Sequence, residues 1–299
     1  MRNVVVAATQ MGCTWDIAEN IARAEKLVKE AAASGAQIVL LQELFETPYF
    51  CQEKNPEYFK YAVEPQKNQA IRHFTRLAEK LKVVLPVSFY ERHRTGNYNS
   101  VAVIDADGTM LGIYRKTHIP FGPGYEETFY FQPGDTGFKT WKTRYATIGV
   151  GICWDQWFTE AARSMSLLGA ELLLYPTAIG SEPQEPEVDS KNHWQMVMQG
   201  HAAANITPVI ASNRIGTETV GNSQITFYGS SFIANEIGEK IAEADRTSET
   251  VLIAEFDLDR IAAYRDYWGI HKGRRPEMYG EIVKVPQNKQ PDNRSFAGR

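Results

Sequence analysis

Apolar and polar positions alternate between two spacings along the chain. Val4-Val5-Val6-Ala7-Ala8 is a short unbroken apolar run and reads as a buried strand. After Thr14 and Asp16 the spacing changes, with Ile17, Ile21, Ala24, Val28 and Ala31 marking one face of a helix that Gly35 stops. Ile38-Val39-Leu40-Leu41 predicts a second buried strand. Ile71, Phe74, Leu77, Ala78 and Leu81 predict a second helix that leads into the strand-like run Val83–Val87. From Tyr90 to Lys116 short strands are separated by Arg94-Thr95-Gly96-Asn97 and Asp105-Ala106-Asp107-Gly108, turn chemistry suited to an antiparallel meander.

Beyond the loop Phe121-Gly122-Pro123-Gly124 the alternation returns. It gives strand Ile148–Ile152, helix Thr159–Leu168, strand Leu172–Tyr175, helix Asn192–Ala204 and strand Val209–Ser212. No Ser/Gly/Pro-rich or highly charged linker divides the two halves, so the expectation is one domain over 1–284, an α/β arrangement of two packed mixed sheets with helices outside. Residues 285–299, with Pro286, Gln290, Pro291 and Asn293, offer little to bury and are expected to form an extended or disordered tail.

Composition narrows the class of partner. The 299 residues are 43% hydrophobic and 23% charged, as in a folded globular chain. Lys plus Arg total 32 against 36 for Asp plus Glu, a balance of −4 that leaves no electrostatic footprint for nucleic acid or an anionic membrane. A small-molecule substrate is the expected partner. Cys13, Cys51 and Cys153 are odd in number and too far apart for a zinc pattern or a disulfide framework. Together with the absence of a signal-peptide pattern after Arg2, they predict a reducing, cytoplasmic location.

Three segments could carry chemistry. In Ile148-Gly149-Val150-Gly151-Ile152-Cys153-Trp154-Asp155 a strand ends in a cysteine ahead of a helix, where a thiol can project beyond the sheet and backbone N–H groups can hold a thiolate. A buried structural cysteine fits the same pattern. Glu43 follows the strand at Ile38–Leu41, and its burial there would suit it to general-base work, whereas an exposed strand end would make it an ordinary surface acid. Lys116 ends Gly112-Ile113-Tyr114-Arg115-Lys116, and it is either a solvated lysine or an ammonium placed to stabilise a thiolate and an oxyanion. His118 reads as a loop-ordering residue. Gly122 and Gly124 match no phosphate loop and are expected to shape a pocket mouth.

Taken together, Glu43, Lys116 and Cys153 with their flanking sequences resemble the Glu-Lys-Cys triad of the nitrilase superfamily of carbon–nitrogen hydrolases. Cys153-Trp154-Asp155-Gln156-Trp157, Tyr175-Pro176-Thr177-Ala178-Ile179-Gly180-Ser181-Glu182-Pro183 and Phe129-Tyr130-Phe131-Gln132-Pro133-Gly134 resemble the branch that acts on a carbamoylated diamine. The resemblance runs from Val4 to about Tyr279. It implies a four-layer αββα sandwich, commonly in a homo-oligomer, with no metal or organic cofactor. It also implies a second glutamate before the aromatic stretch, a place held here by Glu127. The branch often reads Gln-Glu-Lys there, but this chain has Glu126-Glu127-Thr128.

The implied reaction is hydrolysis of a ureido group to amine, ammonia and carbon dioxide through a thioester on Cys153. Glu182, followed by Glu185, Glu187 and Asp189 with no arginine nearby, is the candidate partner for a cationic substrate tail, and Trp154 is a second substrate-binding candidate. The alternatives are a β-ureidopropionase or carbamoyl-amino-acid hydrolase, with Arg214 or another arginine receiving a carboxylate, and a sandwich retained as a scaffold without chemistry.

Overall fold

A computed structural model describes residues 1–284; the expected tail at 285–299 lies outside the described residues. The chain starts with strand β1 (Asn3–Gln10), helix α1 (Ile17–Ala33) and strand β2 (Ile38–Leu40). The Asp16 side chain accepts from the Ala18 and Glu19 amides at 2.9 and 3.1 Å, which satisfies donors that the first turn of α1 leaves open. Helix α2 (Gln69–Leu81) is capped in the same way by Asn68. The meander follows as β3 (Leu85–His93), β4 (Gly96–Ile104) and β5 (Met110–Arg115), and then the single turn α3 (Glu127–Tyr130).

The second alternation comprises β6 (Thr140–Lys142), β7 (Thr147–Val150), α4 (Thr159–Leu167), β8 (Leu172–Pro176), α5 (Lys191–Asn205) and β9 (Val209–Ser212). The last part was not foreseen from the sequence. It holds a hairpin of β10 (Thr217–Val220) and β11 (Ser223–Thr226), then β12 (Phe232–Ala234), β13 (Lys240–Glu243), β14 (Thr250–Asp257) and α6 (Leu258–Trp268).

One sheet runs β13-β12-β9-β8-β7-β6. The other runs β14-β1-β2 and continues into β3-β4-β5 through the Ile38–Val84 bridge. Strand alternation then generates the layers. Val4, Val6 and Ala8 face Ile148, Val150, Leu172 and Leu174 across the space between the sheets. Ala7, Val39, Leu85 and Val87 face outward onto Ile21, Val28, Phe74 and Leu77 of α1 and α2. On the far side Leu173, Val209 and Ala211 meet Met165, Trp194 and Met198 of α4 and α5. The result is a four-layer αββα sandwich, as the resemblance implied. Among the described residues, no helix is long and apolar enough to cross a membrane.

Candidate active site

Strand ends from both sheets meet at one edge of the sandwich, beneath an aromatic cluster that includes Tyr49, Phe50, Tyr90, Tyr130 and Phe227. Glu43 follows β2, Lys116 follows β5, Glu127 opens α3 and Cys153 follows β7. The first three are fully buried and Cys153 is 6% exposed, so neither surface reading of Glu43 or Lys116 survives. Lys116 Nζ donates to Glu43 Oε1 at 2.8 Å and to both oxygens of Glu127 at 2.9 and 2.8 Å. Asn99 Nδ2 donates to Glu43 Oε1 at 2.7 Å, and the Tyr49 hydroxyl donates to Glu127 Oε1 at 2.7 Å. Glu43 Oε2 is buried with no hydrogen-bond partner. One oxygen of this carboxylate is therefore held in place while the other is available to a proton.

Two expectations about Cys153 need correction. The residues after it form a short 3₁₀ turn, Cys153–Trp157, and α4 begins only at Thr159, so the backbone N–H groups next to the sulfur in sequence belong to that turn and not to an α-helix. The reason lies in Asp155. Its carboxylate accepts from the Ile152 amide at 2.9 Å, the Tyr114 hydroxyl at 2.7 Å and the His118 amide at 3.0 Å, and it contacts His118 Nδ1 at 2.8 Å. These bonds draw the turn toward the Lys116 segment, and Cys153 sits in the left-handed region at φ 39°, a costly conformation for a side chain with a Cβ. His118 orders this turn, stacked on Phe158 with ring centroids 3.5 Å apart.

The second correction concerns charge. Burial pushes the Cys153 thiol well above its ordinary pKa and the Glu43 carboxylate pushes it further, while Lys116 only partly opposes them. Both effects favour the neutral thiol over a stored thiolate in the resting site. For Lys116, burial favours the neutral amine, but the Glu127 and Glu43 carboxylates outweigh it and raise the pKa, so the ammonium stays charged. Burial raises Glu127, with Lys116 opposing and Glu43 reinforcing the shift. The ammonium is what makes two adjacent buried carboxylates tolerable. Lys116→Met is accordingly expected to cost about 3–5 kcal/mol of stability, because it leaves them uncompensated; urea unfolding measures it, and a midpoint equal to wild type would contradict the charge assignment.

The other two thiols are shifted in the same direction. Burial raises Cys13 to about 11 and holds Cys51, set in the aromatic cluster, well above its usual value. Beside the site lies a cavity of about 670 Å³ lined by Glu53, Lys54, Gly124, Glu126, Glu182 and Pro183 among others. Glu126, the unexpected acid, pairs with Lys54 at 3.1 Å. Gly124 has φ +84°, and a Cβ there would lie 2.6 Å from Pro183, so glycine lets the loop close against the segment carrying Glu182. The loop after β8 links thiol and cavity: Cys153 Sγ meets the Ala178 carbonyl at 3.7 Å, and Glu182 follows four residues later. Half-buried Tyr125 donates its hydroxyl to the Ser181 carbonyl at 3.2 Å and stands close enough to feel the charge of Glu182. Burial raises Glu182, whereas Asp189 is taken by Arg246 at 2.6 Å. Trp154 is 39% exposed next to the thiol.

The sequence matches the carbon-nitrogen hydrolase family over residues 5–266. The chain belongs to that family. Within this nitrilase superfamily it is similar to an N-carbamoylputrescine amidase of Arabidopsis thaliana, 57% identical over 291 residues that cover 96% of this chain and 97% of the relative. It is also similar to a citrullinase of Francisella tularensis, 53% identical over 95% of this chain and 99% of the relative. A crystal structure of a carbon-nitrogen hydrolase from Helicobacter pylori superposes with a TM-score of 0.87 at 38% identity, covering 94% of this chain and 99% of the other. This carbon–nitrogen hydrolase also has residues that sequence patterns did not single out, namely Tyr49, Asn99 and Asp155. Tyr49 lies in the apolar run Tyr49-Phe50-Cys51, whereas Asn99 is buried beside Ser100 and Asp155 beside Gln156, so no shared local pattern marks the three.

Proposed function

We propose that this chain hydrolyses N-carbamoylputrescine to putrescine, ammonia and carbon dioxide, a step of polyamine synthesis. The observation that carries the chemistry is the free, buried Glu43 Oε2 in a cluster whose charges act on a neutral Cys153 thiol. Glu43 takes the thiol proton as sulfur attacks the ureido carbon. Once protonated, Glu43 loosens its hold on Lys116, whose ammonium then faces the oxyanion together with the Trp154 backbone N–H. Glu43 returns the proton to the departing putrescine nitrogen, leaving a carbamoyl thioester on Cys153. Water, deprotonated by Glu43, attacks this thioester; the thiol is regenerated, and the released carbamic acid breaks down to ammonia and carbon dioxide. Glu127 and Tyr49 hold Lys116 in register through both halves.

The substrate assignment rests on Glu182 and on the 57% identity to the plant amidase. From Ala178 to Glu182 an extended chain reaches at most about 14 Å, a span that accommodates a ureido group joined to a four-carbon amine. Arg214 does not support the carboxylate-binding alternative, since it is fully buried and its guanidinium is committed to neighbouring carbonyls and Glu218. The test is ammonia release from ureido compounds with amine, carboxylate, neutral and α-amino-acid tails, citrulline included because of the citrullinase relative. Preference for the amine tail is the expected result, and preference for N-carbamoyl-β-alanine would overturn it. Glu182→Gln should raise KM for N-carbamoylputrescine about tenfold or more, with kcat little changed and a neutral-tailed substrate unaffected. Equal losses on both substrates would return Glu182 to an ordinary loop residue.

The same reading includes a cytoplasmic enzyme of one domain that pairs with copies of itself. Leu168, Tyr267 and Trp268 are exposed on and beside α4 and α6 and offer apolar surface for a second copy.

A further inference from the structure

We infer that the Arg214–Glu218 ion pair is a positioning device for both acidic groups of the site, a role resting on the reading that Glu43 and Glu127 serve Cys153. Neither residue belongs to the triad. Arg214 is fully buried, just past β9, and its fork faces the backbone on which Glu43 is mounted. Nη2 donates to the Glu43 carbonyl at 2.9 Å and the Leu44 carbonyl at 2.6 Å, and Nη1 donates to the Thr47 carbonyl at 3.0 Å and Glu218 Oε1 at 2.9 Å. Leu44 has φ 47°, so the turn that aims Glu43 into the site is held where a leucine would not rest unaided.

Glu218 completes the device. Its Oε2 accepts the Tyr49 amide at 2.5 Å, and the Tyr49 hydroxyl is the group that bonds Glu127 at 2.7 Å. One buried pair thus fixes both ends of the segment 43–49, with the base at one end and the anchor of the second glutamate at the other. A guanidinium suits this task because its planar donors satisfy several carbonyls at once, which the single ammonium of lysine cannot reproduce.

The experiment compares wild type, Arg214→Lys and Glu218→Gln, each normalised to folded protein by circular dichroism. Readouts are kcat and KM for ammonia release, and the rate at which iodoacetamide alkylates Cys153, followed by mass spectrometry. Arg214→Lys should lose about 10²-fold in kcat, the scale set by a small misplacement of a reacting group, with KM within about twofold and alkylation slowed in parallel. Glu218→Gln should lose less in kcat. It should also move the acid limb of kcat/KM to higher pH, because a displaced Tyr49 no longer favours the ionised form of Glu127. Wild-type kcat and alkylation per folded molecule in Arg214→Lys would overturn the inference, as would kcat and KM changing together through general damage. Should Arg214→Lys fail to fold, Glu218→Gln decides alone, and an unmoved acid limb with wild-type kcat overturns the role. Alkylation needs no substrate, so the two readings fail separately: a wild-type Cys153 no faster than Cys13 and Cys51 would defeat the proposed function itself.

Discussion

Cys153→Ser is expected to reduce ammonia release to background while leaving the melting temperature within a few degrees of wild type. The exchange is nearly isosteric, and the residue keeps its left-handed backbone, its buried surroundings and the Asp155 bonds that form the turn. What changes is the proton to be removed. The thiol is already pushed up by burial and by Glu43, and a hydroxyl at the same place is far harder to ionise and forms no thioester. A single base has then too little driving force. Retention of a substantial fraction of wild-type turnover would exclude sulfur as the nucleophile.

Glu43→Gln should lower kcat by about 10²–10⁴-fold, the range associated with a positioned general base. The amide fills the same volume and its oxygen can still accept from Asn99 and Lys116, so folding should persist. It has no capacity for the proton that Oε2 is free to take. Because the same carboxylate serves acylation and deacylation, mass spectrometry of the mutant after mixing with substrate should show Cys153 largely unmodified. An adduct forming at the wild-type rate and then persisting would confine Glu43 to the water-activating half. Normal turnover would remove it from the mechanism.

The parts of this protein legible in its sequence are those encoded locally. α1 announced itself through its spacing and the Asp16 cap, the meander through two Gly-containing turns, and β7 to β9 through apolar runs separated by helical spacing. Among the strands after Val209–Ser212, Ser223–Thr226 and Lys240–Glu243 are short and rich in polar residues and Phe232–Ala234 is only three residues long, whereas Thr250–Asp257 carries the run Val251-Leu252-Ile253-Ala254 and is within reach of the same reading. At the site, Glu43, Lys116 and Cys153 could be proposed because each ends a strand. Their neighbours could not, since their roles come from contacts across the chain: Tyr49 reaches Glu127 over 78 positions and Arg214 reaches the Glu43 carbonyl over 171. Arg214 shows the direction of the error. An arginine in a sequence suggests an anion to bind, whereas burial turned this one toward main-chain oxygens.

The order of strands has a consequence for how the protein comes into being on the ribosome. β1 lies between β2 and β14, pairing in parallel with the first and antiparallel with the second, from Asn3 opposite Asp257 to Gln10 opposite Thr250. Thr9 and Gln10 also reach across to Ser212 and Ser231. β1 therefore waits for β14, far later in the chain, before its second edge is covered, and such distant pairings are slow to form. At roughly 5–20 residues per second, that strand spends on the order of tens of seconds with a bare hydrogen-bonding edge of apolar sequence, a template for pairing with another chain. The nascent chain, more than the finished enzyme, is where this architecture is vulnerable to aggregation.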